Sequence, residues 1–176
     1  MILIGSNDSL FLKNLENLFE QKNFLTTSDK SSKFFFEIFL KFENNKLKII
    51  FANKDLVLKT PIPFNIFFSK LNELLMHNHV SISNFEYNPI SQSISIGQST
   101  CNLGVIHNHI MSNLILNLDK GIDKIKLYRL IWPHDKDPQI NKLDTHITNL
   151  KNKIGGDLSL NLNFTSNSGT LKLVID

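Results

Sequence analysis

Residues 127–154 have the sequence LYRLIWPHDKDPQINKLDTHITNLKNKI, and this stretch decides the fold predicted for the C-terminal half of the chain. Apolar residues recur every three or four positions on both sides of a polar loop, PHDKDP at 133–138. The spacing predicts a helix over 124–132, capped by Asp123 and stopped by Pro133. A second helix is predicted over 139–154, ending at Gly155-Gly156.

The helix predicted over 139–154 has two faces of different chemistry. With successive side chains about 100° apart, one face is apolar and the opposite face is polar but uncharged. The apolar face consists of Leu143, Ile147, Leu150 and Ile154. The polar face consists of Asn141, Thr145, Thr148, Asn149 and Asn152, with Lys142, Lys151 and Lys153 on its flanks.

Short hydrogen-bonding side chains with lysines beside them are typical of a helix that enters the major groove of DNA. The short side chains reach base edges, and the lysines reach phosphates. Asn can bond adenine through its paired donor and acceptor, and Thr can contact the thymine methyl group. The alternative is a solvated helix face in a protein that is rich in Asn.

The elements around these two helices predict an α+β domain over 80–176. Short antiparallel strands are predicted over 83–87, 92–97 and 99–103, followed by a helix over 105–118. Closing strands are predicted over 158–164 and 170–175, joined by the turn SNSG at 166–169. A small sheet, three helices and a terminal hairpin in this order predict a winged helix-turn-helix.

The N-terminal half predicts a small α/β domain over 1–79. The pattern indicates a strand at 2–4, helices over 9–21 and 65–77, and a hairpin of 34–42 with 46–51. The hairpin turns at Asn44-Asn45, because Asn tolerates positive φ. The prolines of TPIPF at 60–64 require an extended or turned backbone. The stretch HNHVSI at 77–82 is the predicted joint between the domains.

Residues 127–154 resemble the second half of the OmpR/PhoB-type winged-helix domain of bacterial response regulators. The agreeing residues are Trp132, Leu143, Asp144, His146, Ile147, Leu150 and Lys153, in register without a gap. Together with FEYNPISQSISIGQSTCNL upstream, the resemblance covers about residues 82–176. It implies a helix in the major groove and a hairpin that reaches a neighbouring groove or phosphate. The DNA contacts it implies, together with the helical pattern, are Asn141, Lys142, Thr145, Thr148, Asn149, Lys151, Asn152 and Lys172.

Two departures from the family pattern reduce the expected DNA affinity. Family arginines on this helix are replaced by Asn141 and Asn149, and Lys172 is the only cation of the closing hairpin. Arginine is the commonest reader of guanine and a strong phosphate ligand. The resemblance also implies an RNA polymerase contact at the loop, formed by His134, Asp135, Lys136 and Asp137.

The ends of the N-terminal half resemble those of a receiver domain. ILIGSNDSLFLKNLENLF at 2–19 is similar to its first strand and helix, and LKTPIPFNIFFSKLNELL at 58–75 to its last strand and helix. The acidic pair of a receiver falls at Ser6 and Asn7, which leaves Asp8 alone. Because one carboxylate cannot assemble the Mg²⁺ site of phosphoryl transfer, we predict no phosphorylation.

The receiver resemblance also implies a dimer surface on the second predicted helix. Its candidate residues are Phe64, Phe67, Phe68 and Leu71. The alternative is that these aromatic and aliphatic side chains belong to the core of the domain.

Composition limits the other function classes. The formal net charge of +3 is too small to indicate nucleic acid by itself, and no apolar run is long enough for a membrane span. One cysteine, Cys101, and the lack of a signal peptide predict a cytoplasmic protein without disulfides. Neither His77-x-His79 nor His107-x-His109 is accompanied by further metal ligands, so we predict no metal and no cofactor. We find no pattern of catalytic residues and predict that the chain is not an enzyme.

Two functions remain open at this point. The first is a phosphorylation-independent transcription regulator of bacterial type that binds duplex DNA as a homodimer. The second is a winged-helix interaction module that binds RNA polymerase or another regulator and has little affinity for DNA.

Overall fold

The chain divides into two units, Met1–Asn78 and His79–Asp176, one residue before the predicted boundary. The computed structural model describes residues 1–51 and 54–175. Both units combine helices with strands, and the fold class is α+β.

The N-terminal unit is built on a five-stranded sheet. Its elements are β1 (Ile2–Ser6), α1 (Ser9–Gln21), β2 (Thr26–Thr27), β3 (Phe36–Glu43), β4 (Lys46–Phe51), β5 (Lys54–Lys59) and α2 (Phe64–Met76). The predicted strand at 2–4, both helices and the hairpin are confirmed. Asn44 and Asn45 have φ of 48° and 57°, the positive values that a two-residue hairpin turn requires.

The sheet of this unit is mixed, whereas a receiver has a parallel sheet. The strand order is β2-β1-β3-β4-β5, with β1 parallel to both of its neighbours. Strand β4 is antiparallel to β3 and to β5, so it alone runs in the opposite direction. The predicted β3–β4 hairpin and the antiparallel pairing of β4 with β5 therefore distinguish this sheet from the parallel sheet that the receiver resemblance implies. Strand β5 was not predicted.

The two helices of the N-terminal unit lie on the same face of the sheet. The ring of Phe11 in α1 packs against Phe42 of β3 and Phe67 of α2, with centroids 4.7 and 5.8 Å apart. Phe19 of α1, Ile38 of β3 and Ile49 of β4 are fully buried. This burial of apolar side chains supplies most of the driving force for folding of the unit.

Three polar side chains of this unit serve the local fold: Asn7, at a position of the receiver's acidic pair, Asp8 beside it, and Asp55. Asp8 caps α1, because its Oδ1 accepts from the Phe11 amide at 2.9 Å. Asn7 donates from Nδ2 to the Phe42 carbonyl (3.0 Å) and accepts at Oδ1 from the Phe42 amide (2.9 Å). Asp55 pairs with Lys48 at 2.6 Å. Each carboxylate or amide therefore has a structural partner.

The C-terminal unit begins with a four-stranded antiparallel sheet. Its strands are β6 (Val80–Ile82), β7 (Phe85–Asn88), β8 (Ser93–Ile96) and β9 (Ser99–Asn102), paired in sequence order. Three of them were predicted. The fourth, β6, lies within 77–82, which the sequence analysis assigned to the joint between domains. The turn at Ser83, with φ of 47°, separates β6 from β7, so the strand predicted over 83–87 begins only at Phe85.

Three helices and a second sheet follow. The helices are α3 (Val105–Leu116), α4 (Lys124–Ile131) and α5 (Ile140–Leu158), and the remaining strands are β10 (Ile122–Asp123), β11 (Asn163–Asn167) and β12 (Thr170–Val174). The sheet order is β10-β12-β11. Helix α5 packs against β9, α3 and α4, which places it across the centre of the unit.

The end of α5 differs from the prediction. The helix continues through Gly155-Gly156 to Leu158, and Ser159 ends it with φ of 54°. A glycine pair costs a helix conformational entropy but does not stop it where neighbouring turns are anchored, here by buried Ile154. The predicted strand at 158–164 is consequently shifted, and β11 begins only at Asn163.

Replacing Gly156 by alanine is expected to stabilise the C-terminal unit by about 0.5–1 kcal/mol. A Cβ at this position meets no atom within 4 Å, so the main effect of the change is to lower the conformational entropy of the unfolded chain. Thermal unfolding followed by Trp132 fluorescence, which reports on the C-terminal unit alone, measures the effect.

The matched control is Gly121→Ala in the same unit. Gly121 has φ of +72°, and a Cβ there would lie 2.7 Å from the Leu171 carbonyl oxygen. This variant is expected to lower the unfolding temperature. A lower unfolding temperature for Gly156→Ala as well would contradict the helical assignment of this turn.

A buried polar network joins the four-stranded sheet to α3. The Tyr87 hydroxyl donates to Oδ1 of Asn108 at 2.6 Å, and Ser112 also hydrogen bonds to this hydroxyl. Nδ2 of Asn108 donates to the Pro89 carbonyl at 3.1 Å. Asn108, Ser112 and Tyr87 are all buried, and burial raises the pKa of the Tyr87 phenol. The network fixes α3, on which α5 rests.

Candidate nucleic-acid interface

Helix α5 has the two faces that its sequence predicts. Leu143, Ile147, Leu150 and Ile154 are buried. On the opposite side, five side chains are exposed to solvent, and we name them the polar face: Asn141, Thr145, Thr148, Asn149 and Asn152. The structure therefore brings together five of the eight predicted DNA contacts on one open surface.

The two threonines of the polar face hydrogen bond to their own helix. The Thr145 hydroxyl donates to the Asn141 carbonyl at 2.8 Å, and the Thr148 hydroxyl donates to the Asp144 carbonyl at 3.0 Å. A hydroxyl has one hydrogen, so both donors are already used. Each threonine keeps its methyl group and its acceptor lone pairs for other contacts.

The acid nearest to the polar face is paired within the unit. Asp144 accepts from Lys124 of α4 at 2.7 Å, and the Lys124 side chain is only 15% exposed. This ion pair joins the start of α4 to α5 and offsets a charge that would repel a polyanion.

Lys142 is held by a cluster at the start of α5, which we name the Trp132 cluster: Tyr128, Trp132, Asp135, Lys142 and His146. The Lys142 ammonium lies 4.2 Å from the Trp132 ring centroid and 3.1 Å from Asp135 Oδ2. The Tyr128 hydroxyl donates to the same carboxylate oxygen at 2.6 Å. Hydrogen bonds from Tyr128 and Lys142 lower the pKa of the Asp135 carboxyl below its usual value.

The Trp132 cluster changes the roles expected for two predicted site residues. Lys142 was predicted to reach phosphate, but its ammonium is bound to Asp135 and stacked on Trp132. Asp135, a predicted contact of RNA polymerase, is exposed and also ties the loop to α4 and α5. The other predicted loop residues, His134, Lys136 and Asp137, are exposed.

Lys151 and Lys153 differ in their surroundings. Lys153 pairs with Asp157 at 3.3 Å, one turn later in α5. Lys151 is exposed and has no acidic partner within 4.0 Å among the residues that the structure describes. Of the three lysines flanking the polar face, Lys151 is thus the one whose charge is available to phosphate.

Cys101 is a buried, free thiol. It lies in β9, and its side chain hydrogen bonds to Asp157 of α5. Burial, and then the Asp157 carboxylate, raise the pKa of the thiol to about 11. A thiol in this state is a weak nucleophile at neutral pH.

The terminal hairpin is polar and carries little charge. Its turn is narrower than predicted, because Asn167 pairs with Thr170 and only Ser168 and Gly169, with φ of 48° and 80°, form the turn. Lys172, a predicted DNA contact, is partly buried and donates to the Asp119 carbonyl at 3.0 Å. The hairpin tip therefore offers hydroxyl and amide groups to a partner.

Two histidines, His107 and His146, line a shallow groove that was not predicted. The groove runs beside the polar face and is lined by Leu103–His107, His146 and Asn149. The rings of His107 and His146 have centroids 5.8 Å apart. Burial lowers the pKa of His107, and the electrostatic interaction with His146 lowers it further. The one sequence feature that could have pointed to this groove is that Trp132 and His146 agree with the OmpR/PhoB-type pattern.

The outer side of α4 exposes apolar residues. Ile125 is 47% exposed and Leu130 is 49% exposed, with Lys126 and Arg129 exposed between them. Exposed aliphatic side chains beside cations are a surface on which another protein can dock.

The predicted dimer surface on α2 is only partly available. Phe67 and Leu71 are 3% and 1% exposed, so these two residues belong to the core and their assignment to a dimer surface was wrong. Phe64 is 59% exposed and stacks on the half-buried Phe68, with ring centroids 6.1 Å apart. Phe67 and Leu71 therefore pack in the core, as the alternative interpretation has it, whereas Phe64 does not.

No protein-family model matches the chain, and no curated protein matches it in sequence. Within residues 1–51 and 54–175, no three His, Cys, Asp or Glu side chains are grouped so that they could hold a metal ion. No helix in this part of the chain combines the length and the apolar character needed to cross a membrane.

Proposed function

We propose that residues 79–176 form a winged helix-turn-helix that binds duplex DNA through α5, and that the chain is a transcription regulator. The observation that carries this proposal is the polar face: five short, uncharged hydrogen-bonding side chains, all exposed, opposite a buried apolar stripe. A solvated helix face ordinarily mixes Glu with Lys, whereas a helix in the major groove needs side chains that bond base edges.

The order of elements in the C-terminal unit supports the same proposal. An antiparallel sheet, three helices and a closing hairpin occur in the order that the OmpR/PhoB-type resemblance implies. In that arrangement α5 is the recognition helix and the hairpin β11–β12 is the wing. Because Lys172 is bound to the Asp119 carbonyl, the wing contributes hydrogen bonds more than charge.

The N-terminal unit is proposed to act without phosphorylation. The side chains at the receiver's acidic positions are Ser6 and Asn7, and the remaining Asp8 is used as the cap of α1. We propose that this unit dimerises through the exposed part of α2, which includes Phe64. Two recognition helices on one DNA molecule would then raise the affinity through linkage.

Replacing Lys151 by alanine tests the proposal. We expect binding to weaken roughly 3- to 10-fold for every duplex sequence, and the dependence of log Kd on log salt to fall by about 1. Lys142→Ala is expected to have a smaller effect, because Asp135 and Trp132 already hold its ammonium. Fluorescence anisotropy of a labelled duplex, titrated at several salt concentrations, measures both quantities.

The matched control is Lys13→Ala, which removes the same charge from exposed α1 in the other unit. Equal losses for Lys13→Ala and Lys151→Ala would mean that binding depends on net charge and not on α5. Unchanged DNA affinity in the Lys142→Ala, Lys151→Ala double variant would overturn the proposal.

A second candidate function is a protein-interaction module, and the outer side of α4 favours it. Ile125 and Leu130 expose aliphatic surface beside Arg129, close in sequence to the loop that the family resemblance assigns to RNA polymerase. This module would bind purified RNA polymerase with little dependence on the polar face. Glutamate at Ile125 should then abolish polymerase binding while DNA binding is unaffected.

A further inference from the structure

The polar face lacks the side chains that normally recognise guanine. Guanine is read chiefly by Arg or Lys, which donate two hydrogen bonds to O6 and N7. The chain has one arginine, Arg129, and it lies on α4. Lys142 at the edge of the face is held by Asp135 and Trp132. The three asparagines of the face each carry the donor and acceptor pair that fits adenine N7 and N6.

The two threonines of the polar face also cannot donate a hydrogen bond to guanine. Their hydroxyl hydrogens are donated to the carbonyls of Asn141 and Asp144, so they cannot also donate to guanine O6. Their methyl groups remain free of such a constraint. In the major groove, thymine presents an apolar methyl group on C5, and cytosine has no such group.

We infer that α5 selects duplex sites made of adenine·thymine pairs, with asparagine amides on adenine and the methyl groups of Thr145 and Thr148 on thymine. This inference rests on the proposed function and names the class of sequence that the site takes. Discrimination comes from the thymine methyl group and the adenine edge, and Lys151 adds affinity that is independent of sequence.

Three labelled duplexes of equal length test the inference with the full chain at one salt concentration. The first contains only A·T pairs, the second is identical but has uracil in place of thymine, and the third contains only G·C pairs. We expect the A·T duplex to bind at least about 10-fold more tightly than the G·C duplex. Uracil lacks only the methyl group, and we expect it to weaken binding roughly 3- to 10-fold.

Two variants of one residue separate the methyl group from the hydroxyl group. Thr145→Val keeps a methyl group and loses the hydroxyl, so it should still bind the thymine duplex more tightly than the uracil duplex. Thr145→Ser keeps the hydroxyl and loses the methyl, and it should bind more weakly and show a smaller loss on replacement of thymine by uracil, because only the Thr148 methyl group remains. Thr145 is exposed, and Trp132 fluorescence confirms that each variant is folded.

The outcomes distinguish this inference from the proposed function. Salt-dependent binding that is equal for all three duplexes, or insensitive to uracil, would overturn the selection of A·T pairs and leave DNA binding intact. Failure of the chain to bind any of the three would overturn both.

Discussion

Replacing Asn149 by glutamate is expected to weaken DNA binding at least about 100-fold. Asn149 is exposed at the edge of the polar face and also lines the groove beside it. A carboxylate there accepts but cannot donate hydrogen bonds, and it would bring a negative charge to the surface that is proposed to face the DNA polyanion. Anisotropy titration with an A·T duplex measures the loss, and Trp132 fluorescence monitors the fold.

The control for this variant is Asn14→Glu. Asn14 is an exposed asparagine of helix α1 in the N-terminal unit, so the same charge is added to the chain in a similar helical setting. We expect a change of less than about 2-fold. A similar loss in both variants would assign the effect to net charge, and no loss in either would remove α5 from the DNA interface.

Replacing Asn108 by alanine is expected to destabilise the C-terminal unit by about 2–4 kcal/mol. Asn108 is 0% exposed, accepts from the Tyr87 hydroxyl and donates to the Pro89 carbonyl. The truncation leaves that carbonyl buried without its donor and opens a cavity between β7 and α3. For a unit of this size the unfolding temperature should fall by roughly 10–20 °C.

Asn113→Ala is the matched control for Asn108→Ala. Asn113 lies five positions later in α3, is half-buried, and donates to the His109 carbonyl of its own helix. Alanine favours the helix more than asparagine does, so we expect little change in stability. Because Trp132 is the only tryptophan and lies in the C-terminal unit, its fluorescence reports the unfolding of that unit alone. Equal costs for the two variants would show that the network adds no stability.

The elements that could be predicted are those with a strong local pattern. In α5 the spacing of Leu143, Ile147, Leu150 and Ile154 determines which side is buried, because the period of a helix is fixed by its own backbone. The hairpin at Asn44-Asn45 was predictable for a similar reason, since few residues accept positive φ at both turn positions. The polar face of α5 followed directly from the buried stripe.

The elements that were missed depend on a partner strand. Strand β6 has three residues and β10 has two, and each is defined by its pairing with β7 or β12 and not by its composition. Strand β5 carries charges at both ends and is recognisable only once β4 pairs with it. The continuation of α5 beyond Gly155-Gly156 likewise depends on anchoring by buried neighbours.

The candidate site shows the same division. Exposure of the polar face could be predicted, whereas the pairing of Lys142 with Asp135 could not, because the two residues are brought together by the turn between α4 and α5. The same applies to Lys124 with Asp144, which lie 20 positions apart. Sequence alone counts both lysines as available cations.

The paired lysines of the C-terminal unit bear on how fast it can meet a partner. Lys124, Lys142 and Lys153 each lie within 3.3 Å of a carboxylate oxygen of the same unit, so their fields largely cancel beyond a few ångströms. Long-range steering can speed association to about 10⁸–10⁹ M⁻¹s⁻¹, against about 10⁵–10⁶ M⁻¹s⁻¹ without it. For this chain, occupancy of a site would accordingly be governed by residence time and not by a rapid approach.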